Sequence, residues 1–383
     1  MANTKVDPNS FVPQGSMLQE LLSQPYITEA DIRAVSRKRG VFFRDHDKIK
    51  TIPVLACTLL SPAEFQLLVE RQSVKEDHLK SAGSGQIIVN EEFKDLSDFL
   101  YNEIKPKLNS LISKEEALRN NYKIINIPRI NTITDNEIEV DFTIERSNLT
   151  KSWVNHKSTF TGTVNFKKAA NQITASRFYT SEETKTVVNK IASLFEKTCK
   201  EKKYVREDVY EKRIRFDDFS NEKRIQFLLK LFNSDEARAS GLEGKDIADF
   251  EFCGDTRMTL PDNLEWMDNK EKLIFKGKRI ETTFFLQEPS YHPYLIVWRM
   301  IANYNFKIPE KGVTGTAKID FYFSEYAKDQ SSKAPLEISS GSSIEATSPA
   351  ILTTSQKEQI KKQVLIKFED LKNQIYDKYF ITK

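Results

Sequence analysis

The sequence is poor in the residues that usually build disulfide frameworks and metal sites. Only three cysteines occur among 383 residues, Cys57, Cys199 and Cys253, and none forms a CxxC pair. The four histidines are equally scattered. Disulfide frameworks use paired cysteines, and zinc sites use closely spaced Cys and His ligands. We therefore expect no disulfide, no bound metal and no cofactor, and a reducing compartment.

Long apolar runs and a secretory start are also missing. The longest apolar stretch, around residues 52–60, is far too short to cross a bilayer. Residues 1–10 lack the basic start and apolar core of a signal peptide. The sequence therefore predicts a cytoplasmic protein without membrane contact. The formal net charge is only +3, so any contact with nucleic acid must come from local basic patches.

Familiar catalytic motifs are absent as well. The sequence contains no GxxxxGK[ST], HExxH, GxSxG or GxGxxG, the markers of ATP hydrolysis, zinc proteolysis, serine esterases and dinucleotide binding. Asp262, Asp268 and Lys270 supply the residue types of a Mg²⁺-dependent nuclease, but only six positions separate the two acids. We predict that the protein is not an enzyme and has no catalytic residues, with a divergent metal-dependent nuclease as the alternative.

Three sequence blocks occur twice, in the same order. The first pair is residues 138–142 and 280–284, and the second is Thr161-Gly162-Thr163 and Thr314-Gly315-Thr316. The third pair consists of amphipathic helices that close each copy. Their apolar faces carry Val187, Ile191, Phe195 and Thr198 in copy one, and Ile360, Val364, Phe368 and Leu371 in copy two. Paired modules are more typical of binding or assembly platforms than of active sites.

The predicted fold class is α+β, with a small all-helical N-terminal domain followed by two similar units, each an antiparallel sheet with a helix. The expected boundaries are residues 1–80 for the helical domain, 81–90 for a Gly- and Ser-rich linker, 91–204 for the first repeat and 205–383 for the second repeat with insertions.

Several local patterns predict how the elements begin and end. Thr28, Asp47 and Ser61 are candidate N-caps, and Ser61 with Glu64 forms a capping box. Pro106 is expected to kink or split the helix that precedes copy one. In copy two, residues 282–286 are expected to form a strand, and residues 328–343 a mobile loop.

Two basic regions are the candidate contact sites for nucleic acid or a protein partner. The candidate residues are Arg33, Arg37, Lys38, Arg39, Arg44 and Lys48 in the first region, and Lys202, Lys203, Arg206, Arg213 and Arg215 in the second. The first region resembles SAP and helix-extended-loop-helix modules, in which a basic corner lies on the phosphate backbone. Partner docking and an ordinary solvated surface remain open alternatives.

The N-terminal fifth of the chain also resembles a known defence family. The matching residues are Pro13, Gly15, Leu18, Leu22, Arg39-Gly40-Val41-Phe42, Leu59-Leu60-Ser61-Pro62, Glu64-Phe65 and Lys75-Glu76-Asp77. This pattern is similar to the second subunit of a two-gene bacterial anti-phage system whose first subunit is a PD-(D/E)XK-type nuclease. The resemblance implies a non-catalytic subunit that forms a hetero-oligomer with a nuclease encoded by the adjacent gene.

The sequence therefore leads to one main hypothesis and two alternatives. The main hypothesis is a non-catalytic defence subunit that scaffolds or regulates a partner nuclease and contacts DNA or that partner through its basic corner. One alternative is a nuclease that acts on its own. The other is a structural adaptor without nucleic-acid contact, for which weak, salt-insensitive binding would be expected.

Overall fold

The computed structural model describes most of the chain. The described residues are 12, 14–23, 27–44, 47–65, 67–68, 79–108, 111, 122–125, 128–147, 157–206, 211–268, 270–340, 344–348 and 352–380. Pro13 and the segment Lys75-Glu76-Asp77, which contribute to the sequence resemblance, lie outside these residues.

The N-terminal unit, residues 12–68, is helical as predicted. Its helices are α1 (Gly15–Leu22), α2 (Glu29–Lys38) and α3 (Lys48–Ala56), and residues 62–65 begin a further helix. Apolar residues from all three labelled helices, among them Leu18, Ile32 and Ile52, form one core in which each is buried. The unit thus has its own apolar core, separate from those of the sheet.

The rest of the described chain is built on one large antiparallel sheet, which confirms the α+β class. The strands are β1 (Lys80–Ile88), β2 (Tyr122–Ile124), β3 (Arg129–Thr134), β4 (Glu137–Ser147), β5 (Lys157–Ala169), β6 (Gln172–Tyr179), β7 (Leu242–Gly254), β8 (Leu273–Lys276), β9 (Leu295–Ile308), β10 (Val313–Phe323), β11 (Leu336–Ser339) and β12 (Ile344–Thr347). The spatial order is β2-β4-β5-β6-β1-β11-β10-β9-β7-β8, with β3 paired to β4 and β12 paired to β10.

Helices pack against both faces of this sheet. They are α4 (Leu96–Phe99), α5 (Lys105–Leu108), α6 (Glu182–Glu201), α7 (Asn221–Phe232), α8 (Asp235–Ala239), α9 (Phe284–Gln287), α10 (Ser324–Asp329) and α11 (Thr354–Tyr379). The neighbours Phe178 and Tyr179 in β6 belong to different cores, the first packed with α7 and α11 and the second with α6. Since successive strand residues point to opposite faces, the two cores lie on opposite faces of one sheet.

The predicted linker at residues 81–90 is wrong, because this segment is mostly the central strand β1. β1 pairs with β6 on one side and β11 on the other, and so joins the two halves of the sheet. Its small residues make room for neighbours. Gly83 has φ +82°, and a Cβ there would lie 2.9 Å from the Leu336 carbonyl oxygen, while Gly85 lies under the Glu211 side chain. Glycines that indicate flexibility in a sequence here permit close packing.

The duplication is present in part. Both halves contain a three-stranded antiparallel ladder closed by a long helix: β4-β5-β6 with α6, and β9-β10-β11 with α11. The strand order before the ladders differs, because β8 pairs with β7, whereas β3 pairs directly with β4. The predicted similarity of the two units therefore extends to the ladder and the closing helix, and not to the strands before them.

Two predicted segments of copy two have other structures. Residues 282–286 are not a strand: Ile280–Thr282 forms a 3-10 turn, and Phe284–Gln287 is α9. The apolar side chains of Phe285 and Leu286 are buried, but they belong to helix α9 and not to a strand. The loop expected at residues 328–343 contains the buried strand β11, because Leu336 and Ile338 fill the core under α11.

The helical run around Pro106 is irregular but continuous. A π-helical turn, Leu100–Ile104, separates α4 from α5, in which Pro106 lies. Proline has no N–H to donate to the carbonyl four residues earlier, and a π-turn accommodates that loss without ending the helical run. Leu96, Leu100, Ile104 and Leu108 consequently all remain buried.

Candidate functional site

The N-terminal basic corner is built by well-defined helix ends. The Thr28 N–H and hydroxyl donate to the Asp31 carboxylate at 2.8 Å and 2.6 Å, and the Asp47 side chain accepts from the Ile49 N–H at 2.9 Å, so both residues lie at the helix starts that the sequence predicts. At the end of α2, Gly40 has φ +73°, and the Val41 N–H donates to the Ser36 carbonyl at 2.9 Å. This Schellman-type ending turns the chain sharply at the corner.

Arg39 is engaged in a structural ion pair. Its guanidinium binds both carboxylate oxygens of Glu64, with Nε to Oε1 at 2.7 Å, and donates to the Leu59 carbonyl at 2.5 Å. Glu64 in turn forms the predicted capping box, accepting from the Ser61 N–H at 2.8 Å. Hydrogen bonds from Arg39 lower the pKa of Glu64 to about 2. Arg39 therefore connects the end of α2 to the start of the next helix.

The other basic residues of the corner divide into two groups. Lys48 Nζ donates to the Ile27 carbonyl at 2.7 Å, and burial lowers the pKa of Lys48. Arg33 is half-buried, whereas Arg37, Lys38 and Arg44 are exposed. Three of the six candidates in this region thus present their charge to solvent.

The second basic region lies in the sheet-containing part of the chain. Lys202 pairs with Glu103 at 2.7 Å, and Arg213 pairs with Glu211 at 3.0 Å. The remaining candidates, Lys203, Arg206 and Arg215, are exposed. Lys203 has φ +62°, and its carbonyl accepts from the Asn90 side chain at 3.0 Å. Part of this region therefore stabilises the fold, and it is not continuous in sequence with the first region.

A buried charge cluster at β6 was not predicted from the sequence. Arg177 is 1% exposed and pairs with Glu211, which also accepts from Arg213. Burial lowers the pKa of Arg177, and the two arginines lower the pKa of Glu211 against the opposing effect of its own burial. The Glu211 side chain passes over Gly85 of β1, so a larger residue at position 85 would collide with it. The cluster fixes the connector after α6 to the sheet.

A cavity of about 770 Å³ lies beside the first turn of α7. Asp255 is held there by Arg257 at 2.6 Å and by Asn221 at 2.9 Å, and the hydrogen bonds from Arg257 lower the pKa of Asp255 to about 2. Arg224 lies 3.4 Å from the Phe216 ring centroid, and its guanidinium donates to the Phe216 and Phe219 carbonyls. The charged groups described here thus already have partners in the protein.

A second groove, of about 840 Å³, separates β4 from α11. Three acids on one face of β4, Glu137, Glu139 and Asp141, line it. Lys362 of α11 approaches Glu139 at 2.6 Å and Asp141 at 3.6 Å, and Asn165 donates to Glu137 at 2.9 Å. This row of carboxylates binds α11 to the first half of the sheet.

The possible nuclease residues lie on the surface at and after one short helix. Asp262 begins a 3-10 helix, Asp262–Met267, and Asp268 follows its end. Both acids and Lys270 are exposed. Within the part of the chain that the structure describes, no three His, Cys, Asp or Glu side chains are grouped so that they could hold a metal ion.

Comparison with known proteins gives one informative match. Residues 16–78 match the family model described as the GAPS4b protein N-terminal domain. GAPS4b is a family associated with defence systems. The match covers the helical N-terminal unit and continues into residues outside the described chain. It supports the defence association that the sequence resemblance implied.

The other comparisons add little. No curated protein matches the chain. One solved structure, titled as the crystal structure of the di-domain ARO/CYC StfQ from the steffimycin biosynthetic pathway, has 7% sequence identity and a TM-score of 0.17, covering 78% of this chain and 97% of that chain. A similarity at this level supports no conclusion. Among the described helices, none is long and apolar enough to span a membrane.

Proposed function

We propose that this protein is the non-catalytic subunit of a bacterial anti-phage defence complex, in which it binds and positions a partner nuclease encoded by the adjacent gene. The observation that carries the proposal is the match of residues 16–78 to the GAPS4b N-terminal domain. The sequence resemblance supplies the finer expectation of a two-subunit system with a PD-(D/E)XK-type nuclease.

The architecture supports a scaffolding role. A single sheet runs through both halves of the sheet-containing part. Polar contacts connect the two halves at several points, including Lys362 to Glu139 at 2.6 Å and Tyr179 to Glu337 at 2.9 Å. Such polar contacts favour a rigid platform that holds a partner in one orientation. The helical N-terminal unit carries the exposed surface proposed below to make the contact.

The test is a DNA-degradation assay with the purified chain alone, the neighbouring gene product alone, and the two combined, each with Mg²⁺. We expect no cleavage by the chain alone and cleavage that depends on the neighbouring product. Changing Asp262 and Asp268 to Asn should leave degradation by the combined proteins unchanged. Cleavage by the chain alone, abolished in that variant while folding is retained, would instead establish the nuclease alternative.

A further inference from the structure

Helix α3 exposes apolar side chains outside its buried side. Its inner side places Ile52, Leu55 and Ala56 in the core of the N-terminal unit. Its outer side leaves Ile49 80% exposed and Val54 47% exposed. A surface helix normally has a polar outer face. The outer side of α3 carries the exposed Lys50, but it also leaves the apolar side chains of Ile49 and Val54 in contact with solvent.

Further exposed apolar residues belong to the same unit. Phe42, on the segment that links α2 to α3, is 76% exposed, and Leu59, just after α3, is 67% exposed. Val41 is also exposed, and these five side chains are called the outer apolar face below: Val41, Phe42, Ile49, Val54 and Leu59. They are five of the fourteen large apolar side chains found exposed among the described residues, yet they lie within 19 consecutive positions. Such a concentration indicates an interaction site rather than scattered surface residues.

The charges beside this face indicate what covers it. Arg37 and Lys38 lie within four residues before Val41, Arg44 follows Phe42 by two residues, and Lys50 lies on α3. All four are exposed, and the exposed Asp47 lies between the last two, so the exposed charge along this stretch is mainly positive. A second copy of the chain would bring like charges together in one interface, which opposes association. Phosphate groups of DNA would use the cations but not the five apolar side chains. A protein with an apolar segment and an acidic rim would satisfy both.

We propose that the outer apolar face is the docking surface for a protein partner that presents an apolar segment flanked by acidic residues. The assignment of that partner as the nuclease subunit rests on the proposed function. Apolar side chains form the centre of the contact and exclude water, while Arg37, Lys38 and Arg44 pair with the acidic rim and speed association.

The first experiment measures the dissociation constant between the full chain and the neighbouring gene product. The variant I49Q/V54Q/L59S removes three apolar groups without touching the inner core. We expect its affinity to fall by at least about 100-fold, since central apolar contacts dominate interface energies. The control I88T/I133T/I274T removes three exposed isoleucines of the sheet-containing part and should leave the affinity within about 3-fold, because isolated exposed apolar residues contribute little outside an interface. Circular dichroism and thermal unfolding establish that both variants fold.

The second experiment tests the acidic rim. The variant R37E/K38E/R44E should slow association with the same product by at least about 10-fold at low salt, and the difference from the wild type should shrink as salt rises. Sedimentation of the wild-type chain alone should give the mass of one chain, 44.3 kDa.

The possible outcomes separate the two proposals. If the wild-type chain binds the neighbouring product and the folded apolar variant binds equally well, the docking inference is overturned while the proposed function stands. If the wild-type chain does not bind that product, both are overturned. A stable dimer of the wild-type chain that the apolar variant cannot form would assign the face to self-association, and loss of DNA binding alone would assign it to nucleic acid; either result also overturns the inference.

Discussion

Gly162 lies directly opposite Phe142 across the β4–β5 ladder, and the Phe142 ring occupies the space that a side chain at position 162 would need. A Cβ built on Gly162 would be 2.3 Å from Phe142 Cζ. The second Thr-Gly-Thr sequence shows the same relationship: Gly315 is the register partner of Phe306, and its Cβ would be 2.6 Å from Phe306 Cζ. In both halves, therefore, a phenylalanine from the preceding strand occupies space that a side chain at the repeated glycine would need.

Replacing either glycine should destabilise the protein. A new methyl group must displace the phenylalanine ring, and at Gly315 it also meets the Glu345 carbonyl oxygen at 2.1 Å. We expect G162A and G315A each to lower the free energy of unfolding by about 1–3 kcal/mol, as overpacking does in other cores. Denaturant unfolding measures the effect. The matched control is G277A, since nothing lies within 4 Å of a Cβ at Gly277.

A double-mutant cycle makes this explanation specific. If the Phe142 ring is what opposes a side chain at position 162, the double variant F142L/G162A should lower the free energy of unfolding by less than the sum of the two single substitutions. The reason is that the smaller leucine side chain gives the new methyl group room. Additive effects of F142L and G162A would show that Gly162 is needed for another reason.

Glu369 connects the last helix to the central strand. It is 0% exposed, accepts from the Ser81 hydroxyl at 2.5 Å and from the Ser84 N–H at 3.0 Å, and pairs with Lys372, which is 1% exposed. Replacing Glu369 by Ala leaves the Lys372 charge buried without its carboxylate. We expect E369A to destabilise the fold by about 3–5 kcal/mol in denaturant unfolding.

The same helix provides the control for this prediction. Glu358 and Lys361 form a pair of the same spacing on an exposed part of α11. E358A should change stability by less than about 1 kcal/mol, because exposed ion pairs contribute little. The double variant E369L/K372M should recover much of the loss seen in E369A, since it removes both charges. Equal losses in E369A and E358A would contradict this account of the Glu369 pair.

The Arg39–Glu64 pair should make the N-terminal unit sensitive to acid. The pKa of Glu64 is about 2 in the folded chain, against an ordinary value of 4.5. A depressed folded pKa gives stability that is fully present above about pH 4.5 and is lost as the pH falls toward 2. We expect the stability difference between the wild type and E64Q to be constant near pH 7 and to shrink below pH 4.5. Hydrogen exchange of the backbone amides in α2 and α3 measures this stability difference as the pH is lowered. A stability difference that stays constant down to pH 2.5 would contradict the prediction.

DNA binding should not depend on the exposed basic residues of the corner. If Arg37, Lys38 and Arg44 serve protein docking, then R37A/K38A/R44A should show the salt dependence of DNA binding found for the wild type. If these residues instead bound phosphates, the slope of log K against log salt would fall by about 0.9 for each phosphate that the variant no longer neutralises. The control K245A/K278A/K311A removes the same charge from exposed positions in the sheet-containing part.

Local signals in the sequence predicted the helices well. The Ser61–Glu64 capping box and the caps at Thr28 and Asp47 all act within a few residues of their own position, so the sequence carries them directly. The closing helices could also be predicted from local patterns. In the first of them, Val187, Ile191 and Phe195 repeat at helical spacing and face one core.

Long-range packing accounts for the errors. The Ser- and Gly-rich segment of β1 resembles a linker because its small residues give no apolar period, yet Glu211 and Leu336 pack closely over them. Residues 280–284 repeat the pattern of residues 138–142, but a 3-10 turn there leaves only the Thr-Gly-Thr block and the closing helix as true equivalents. Among the basic candidates, Arg39, Lys48, Lys202 and Arg213 each have a protein partner that is distant in sequence.

Joint production of this chain and the neighbouring gene product, with purification through a tag on the chain alone, shows by the mass of the recovered assembly whether the two form one complex. We expect one species, well above the 44.3 kDa of the chain, that contains both proteins and that separates into its components with the I49Q/V54Q/L59S variant. Recovery of the wild-type chain alone at its own mass, with the neighbouring product present and folded in the same cells, would contradict it.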